Sequence, residues 1–243
     1  MSPINWISHR GFHQEHVENT KAAFDAALEA GFASLETDLR TTVDGHIVLH
    51  HDSSMERTAG RDICVEDMTL VQFKETQLVD GQFGMSLEEF LTEYAAYNWI
   101  FDIKPESAER SIQLLAAWAS DRDAQHWLLA HARFLLWSAE HDRLLLTKFP
   151  GATTLARESE CRRAGFSMLL GASFLSGVKP NRVYALPPSF CGIPLFKPKL
   201  VEKYRSRGGR VLAYLPERNV EVDMAIKAGV DEILTNGLPQ HET

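Results

Sequence analysis

The chain has 243 residues, 44% of them hydrophobic and 24% charged, with a formal net charge of −8. That length and apolar content suit one large α/β domain or two small ones with a full core. The acidic balance argues against a nucleic-acid partner, which needs a basic face, while leaving open a small phosphorylated substrate met by local cations or a metal ion.

Short apolar runs alternate with helical patterns along the chain. Residues 4–8 predict a first strand that ends at His9-Arg10-Gly11. After a polar loop, "TKAAFDAALEAG" predicts a helix closed by Gly31. Residues 32–39 predict a second strand carrying Glu36 and Asp38. "GHIVLHHD" extends it as a hairpin, with Asp44-Gly45 as the turn. Residues 53–85 are polar, with a helical fragment near 69–76, and form an excursion too short for an independent domain. "SLEEFLTEYAAY" opens with the capping-box spacing of Ser86 and Glu89. Residues 99–103 predict the third strand, and "SAERSIQLLAAWAS" the helix after it. Further strand candidates lie at 127–130, 143–147, 166–170, 182–186, 210–215 and 232–235.

This alternation predicts a parallel sheet with helices outside it. A (β/α)8 TIM barrel formed by a single domain over 1–243 is the leading architecture, and an open doubly wound sheet is second. Nine strand candidates stand where the barrel needs eight. The surplus falls between 127 and 170, where two candidates compete for one place.

In a parallel barrel the C-terminal strand ends converge on one face. The first strand delivers His9 and Arg10 there, the second Glu36 and Asp38, its extension His51 and Asp52, and the third Asp102 and Lys104. Residues two apart on a strand share a side, so Glu36 and Asp38 point together, as do Asp102 and Lys104. Charges inside apolar strands are costly unless paired or metal-bound. One such pair, for instance Glu36 with Lys104, has a structural explanation as good as a functional one. Three strands doing this at the same end favour function. Glu36, Asp38 and Asp102 make a hard oxygen set suited to Mg²⁺ or Ca²⁺ rather than zinc. His9 and His51 titrate near neutrality and can supply a general acid and a general base. With Arg10 and Lys104 as fixed cations, the set suits attack at an anionic phosphodiester.

These residues resemble the glycerophosphodiester phosphodiesterase family. Its pattern of His-Arg-Gly, Glu-Asn-Thr, Glu-x-Asp, Thr-x-Asp-Gly and His-Asp matches "HRGFHQEHVENT", "LETDLRTTVDGHIVLHHD" and "MERTAG" in order. "MSLEEFL" and "AGVDEILTNGLP" resemble elements before the third strand and at the close. The middle, residues 106–182, resembles it weakly. The resemblance implies a phospholipase-C-like (β/α)8 phosphodiesterase barrel with His9 and His51 as the catalytic acid/base pair. It implies Glu36 and Asp38 as metal ligands and Arg10 and Lys104 on the phosphate. The family's Glu-Ile-Lys is Asp102-Ile103-Lys104 here, a carboxylate one methylene shorter, still expected to bind metal. The family's Trp-Thr-Val-Asn is replaced at Tyr214-Glu217.

The expected reaction is metal-dependent hydrolysis of sn-glycero-3-phosphodiesters to glycerol 3-phosphate and an alcohol. Alternatives are a phospholipase-D-like enzyme acting on lysophospholipid head groups, with "FLLW" and "LPPSFCGIPLF" as apolar surface, and an inactive barrel kept as a binding module. His13, His16 and His50 are expected to be structural or loop residues. Glu18 and Asn19 are expected to order the loop and cap the first helix, and Asp52 to orient His51. No apolar run is long enough for stable membrane insertion and no signal peptide is recognisable. Cys64, Cys161 and Cys191 make neither a disulfide framework nor a zinc site, which favours the cytoplasm.

Overall fold

The computed structural model describes residues 3–240. In chain order it runs β1 (Asn5–His9), α1 (Lys21–Glu29), β2 (Ser34–Thr41), β3 (Ile47–Leu49), α2 (Glu56–Ala59), α3 (Leu70–Glu75), α4 (Leu87–Glu93), β4 (Asn98–Ile103), α5 (Ala108–Asp121), α6 (Gln125–His131), β5 (Ala132–Leu135), α7 (Ala139–Lys148), β6 (Thr153–Thr154), α8 (Glu158–Leu169), β7 (Val183–Leu186), β8 (Ser189–Phe190), β9 (Ile193–Pro194), α9 (Pro198–Arg205), β10 (Arg210–Tyr214), α10 (Asn219–Ala228) and β11 (Glu232–Thr235). Eight of these strands, β1, β2, β4, β5, β6, β7, β10 and β11, alternate with helices in the order of a (β/α)8 barrel. The remaining strands are β3 and the β8–β9 hairpin. The chain divides into two compact units, residues 8–153 and residues 154–243 with the first seven.

In the unit of residues 8–153, β2, β4 and β5 pair in parallel, and β3 runs back antiparallel along the end of β2. Every residue of β2 is buried, as a strand covered on both faces requires. The register sets Asp38 opposite Asp102. Phe24, Phe90, Tyr94, Trp99 and Phe101 pack behind these strands, with ring centroids 4.9 Å apart for Phe24–Phe90 and 5.8 Å for Trp99–Phe101. The capping box of Ser86 and Glu89 forms at α4. Thr20, rather than Asn19, caps α1, accepting a hydrogen bond from Ala23 N. The excursion holds α2, a turn at Val65–Asp67 and α3. It buries Met55, Val65, Met68, Phe73 and Leu78 against Val48 of β3.

Three expected strands are helical. Residues 127–130 lie inside α6, 143–147 inside α7, and 166–170 at the end of α8. A short apolar run has no periodicity that separates a strand from a helix, and local signals decide. Ser138 caps α7 by accepting from His141 N at 3.0 Å. On α8 only Glu160, Ala164 and Met168 are buried, and Phe166, Leu169 and Leu170 face solvent. The strands actually present are β5, which includes Arg133, and the two-residue β6, too short for any pattern.

In the other unit β7, β10 and β11 are parallel neighbours. They pack with α8, α9 and α10 around Tyr184, Tyr204, Val211 and Ile233. Tyr214 ends β10 partly exposed, and Leu215 follows with φ +49°.

Candidate active site

Strand β1 ends at His9 and the chain reverses at once. Arg10 has φ +58° and Gly11 φ +81°. Left-handed backbone costs a non-glycine residue roughly 1–2 kcal/mol. Two hydrogen bonds hold the turn: Arg10 N donates to the Glu36 carbonyl at 3.0 Å, and Asn19 N donates to the Arg10 carbonyl at 2.9 Å. A Cβ on Gly11 would lie 2.6 Å from the carbonyl carbon of Ala23, so only glycine lets the loop cross α1 here. Gly11→Ala is expected to lower stability by about 1–3 kcal/mol in urea unfolding. An unchanged midpoint would mean the loop relocates freely.

Glu36, Asp38 and Asp102 are buried, and one ligand oxygen from each lies within 4.8 Å of the others. Period two and the β2–β4 register account for this meeting. Arg10 Nε is 3.0 Å from Asp38 Oδ2, and Lys104 Nζ is 2.7 Å from Asp38 Oδ1 and 2.6 Å from Asp102 Oδ2. The lysine therefore bridges the two aspartates rather than pairing with Glu36. Burial alone would raise the Asp38 carboxyl, but Lys104 and Arg10 outweigh it, and it falls below its ordinary range. Asp102 stays above its ordinary value because burial and the charge of Asp38 exceed the help from Lys104.

Glu36 differs from both. Its carboxylate accepts from Arg10 N at 3.2 Å and stands 3.9 Å from His9 Nε2. Burial first, then the charge of Asp38, hold its carboxyl well above the usual carboxylate range. Three hard oxygens at one point, one of them on a carboxylate short of positive charge, form a donor set that fits a divalent cation.

A run of contacts extends from this cluster to His51. Arg10 Nη1 meets Glu18 Oε1 at 3.0 Å, and Arg57 Nη2 meets the same oxygen at 2.6 Å. Arg57 Nε donates to Asp52 Oδ2 at 2.6 Å, and Asp52 Oδ1 lies 2.7 Å from His51 Nδ1. Arg57 holds the Asp52 carboxyl down to about 2, against the opposing effect of partial burial. With Asp52 an acceptor, His51 carries its proton on Nδ1 and presents Nε2. Arg40 fixes the backbone there, donating to the His51 carbonyl from Nε and Nη2 at 3.0 and 2.8 Å. In the other direction, Trp137 Nε1 donates to Asp102 Oδ1 at 2.8 Å, and Lys104 Nζ stands 5.7 Å from the Trp137 ring centre.

The model of the glycerophosphoryl diester phosphodiesterase family matches residues 9–238. This chain belongs to that family. It is a phosphodiesterase, and the family's reaction is hydrolysis of glycerophosphodiesters. It is 26% identical over 239 residues to a glycerophosphodiester phosphodiesterase of Caldanaerobacter subterraneus, spanning 95% of this chain and 93% of that one. The glycerophosphoryl diester phosphodiesterase domain of a Mycobacterium tuberculosis protein superposes with a TM-score of 0.80 at 16% identity, over 97% of both chains. An Oleispira antarctica phosphodiesterase solved with its product sn-glycerol-3-phosphate gives 0.72 at 18%, over 96% and 93%. At such identities the structures carry the fold alone, the (β/α)8 barrel.

Within this glycerophosphodiester phosphodiesterase the structure gathers Arg10, Glu36, Asp38, Asp102 and Lys104 into one cluster, with His9 beside Glu36. His51 is linked to it through side chains. His50 turns away, its ring nitrogens 2.9 Å from the Asp52 carbonyl and from Thr58 Oγ1. His13 lies nearer than a free loop residue would, its ring 6.3 Å from that of His9. Four residues escaped the sequence reading as contributors. Arg40 follows Asp38 by two on β2, so the same spacing argument covers it. Arg57 stands in "MERTAG". Trp137 closes "FLLW". Asn19, expected at the cap of α1, instead donates from Nδ2 to Asp38 Oδ2 at 2.8 Å. Among the described residues no helix is long and apolar enough to cross a membrane.

Proposed function

We propose that this protein hydrolyses sn-glycero-3-phosphodiesters to glycerol 3-phosphate and an alcohol within a single catalytic domain. Glu36, Asp38 and Asp102 would hold one divalent cation, Mg²⁺ or Ca²⁺, and His9 and His51 are the acid/base pair. The observation that carries the reading is the buried carboxylate trio: Asp38 and Asp102 share Lys104, while burial and the charge of Asp38 hold Glu36 well above the usual carboxylate range despite Arg10 and Lys104 nearby.

Arg10 and Lys104 bind the phosphate. An ammonium has three donors and a guanidinium five. Lys104 Nζ donates to Asp102 and is ion-paired with Asp38, and Arg10 donates to Glu18 from Nη1 with its Nε ion-paired to Asp38. The remaining donors stabilise charge growing on the non-bridging oxygens. One histidine takes a proton from the attacking oxygen, of water or of the neighbouring glycerol hydroxyl. The other gives a proton to the departing alcohol oxygen as the P–O bond breaks. Where the glycerol hydroxyl attacks, the new P–O bond closes a cyclic phosphodiester that water then opens, so water is consumed overall on either route. Asp52 holds His51 in the tautomer that leaves Nε2 available for either role. When bound, the cation supplies Lewis-acid polarisation of the phosphoryl group. The free cysteines Cys64, Cys161 and Cys191 support a cytoplasmic setting.

A coupled assay for glycerol 3-phosphate release from glycerophosphocholine and glycerophosphoethanolamine tests the reading, with Mg²⁺, Ca²⁺ or a chelator added. The expected result is turnover that the chelator abolishes and a divalent ion restores. Turnover indifferent to chelation would remove the metal from the reading, and no turnover on either diester would sink the substrate assignment.

Trp137 positions Asp102. Its indole N–H fixes one oxygen of a carboxylate whose other oxygen is held by Lys104. Trp137→Phe is expected to weaken divalent-ion binding about 10-fold, measured by titration calorimetry. Unaltered affinity would mean that Asp102 does not depend on the indole.

A further inference from the structure

The unit of residues 154–243 carries a face that diester hydrolysis does not use. The end of α8 and the turn at Ser173–Leu175 set Phe166, Leu169, Leu170, Phe174 and Leu175 in solvent, with Leu170 81% and Phe174 73% exposed. The β8–β9 hairpin extends this face. Exposed Ile193 lies opposite Phe190 in register, and the Phe190 ring meets Phe166 edge-on with centroids 5.4 Å apart. The core takes Ala164 and Met168 from the same helix and leaves these residues outside it. Scattered exposed apolar residues are ordinary, but a cluster of this kind marks an interaction surface.

Cations are fastened to the same segment. Lys203 Nζ donates to the Met168 carbonyl at 2.6 Å, Arg163 Nε to the Ser176 carbonyl at 3.2 Å, and Arg207 Nη2 to Ser173 Oγ at 3.3 Å. Residues 157–207 hold ten Lys and Arg against three Asp and Glu. Across residues 154–243 the balance is 13 to nine, whereas residues 8–153 hold 12 against 24. The overall −8 therefore hides an acidic unit, which carries the site, and a basic one, which carries the apolar face.

We propose that this face docks the protein peripherally on an anionic lipid surface. The Leu and Phe tips enter the boundary between headgroups and acyl chains, and the surrounding cations lie over lipid phosphates. Nucleic acid matches the charge but offers no fluid apolar layer for five aliphatic and aromatic tips. The acidic unit of a second copy matches the charge as well, and the test below separates it. The proposal rests on this face alone and is independent of the catalytic assignments.

Co-sedimentation of the full chain with vesicles tests it, using phosphatidylcholine alone or mixed with phosphatidylglycerol, at low and high salt. Wild type is expected to partition at least about tenfold better onto the mixed vesicles, and to lose most of that gain at high salt. Leu170→Asp combined with Phe174→Asp should remove binding while leaving the melting temperature and glycerophosphocholine hydrolysis unchanged. Equal partitioning of wild type onto both vesicle types overturns the proposal, as does undiminished binding of the double variant. A wild-type dimer that the double variant abolishes, with no vesicle binding by either protein, also overturns it and makes the face a self-association surface.

Discussion

Alanine at His9 or at His51 is expected to lower kcat by roughly two to four orders of magnitude, the range that removal of a positioned acid or base produces. The check is steady-state hydrolysis of glycerophosphocholine at saturating divalent ion, with substrate affinity measured separately. The geometry makes the two variants differ in a second respect. His51 hangs on a chain of side chains, Asp52, Arg57 and Glu18, so its loss frees Asp52 to Arg57 alone and leaves the carboxylate cluster untouched. His9 stands 3.9 Å from Glu36, so its loss also alters the surroundings of a proposed metal ligand. His9→Ala should therefore shift divalent-ion affinity as well as kcat, and His51→Ala should shift kcat alone. Near-normal turnover by either variant removes that histidine from the mechanism. Loss of turnover in both variants without a change in ion affinity in either would mean that His9 does not influence Glu36 as an ion ligand.

Strands β2 and β4 were legible because charge is so conspicuous there. In an otherwise apolar strand, Glu36 and Asp38 at a spacing of two announce both their shared side and an unusual environment. The same logic exposed Asp102 and Lys104. The network that orients them was harder to see, because its members come from loops and short helices without periodicity. Arg57 stands on the four-residue α2 and acts through the length of its side chain. Trp137 follows β5 and is half exposed, so neither burial pattern nor spacing marks it. The stretch 127–170 misled for the opposite reason. Its apolar runs are conspicuous, yet Leu128 and Leu145 are helix core, and Phe166, Leu169 and Leu170 serve no core at all. The strands that do exist there give no separate signal: "ARFL" is interrupted by Arg133 and runs on from the apolar helix α6, and "TT" is two residues long.

Methionine at Lys104 is expected to destabilise the ion-free protein by about 3 kcal/mol, the lower end for stripping one partner from a buried ion pair. For a chain of this size that is roughly 6–12 °C in melting temperature. Lys104 is buried and serves two aspartates at once, so its removal leaves Asp38 with Arg10 and Asn19 and Asp102 with Trp137 alone. The sign of the pH dependence follows. Asp102 already sits above its ordinary value and rises further without the lysine, so the folded variant binds protons more readily than the unfolded chain. Its deficit is therefore largest near neutral pH and shrinks on acidification toward the range where carboxylates protonate. A divalent ion supplies the missing charge by another route. Saturation with Mg²⁺ or Ca²⁺ should raise the melting temperature of Lys104→Met more than that of wild type, since the free variant carries the larger uncompensated charge. Turnover should remain down by about 10²–10³-fold even then, because the phosphate has lost a donor that the ion does not replace. Stability and catalysis thus separate in one variant. Equal responses to the ion in both proteins would mean that Lys104 and the cation do not share the same carboxylates. Full turnover at saturating ion would mean that Lys104 serves the carboxylates and never the phosphate.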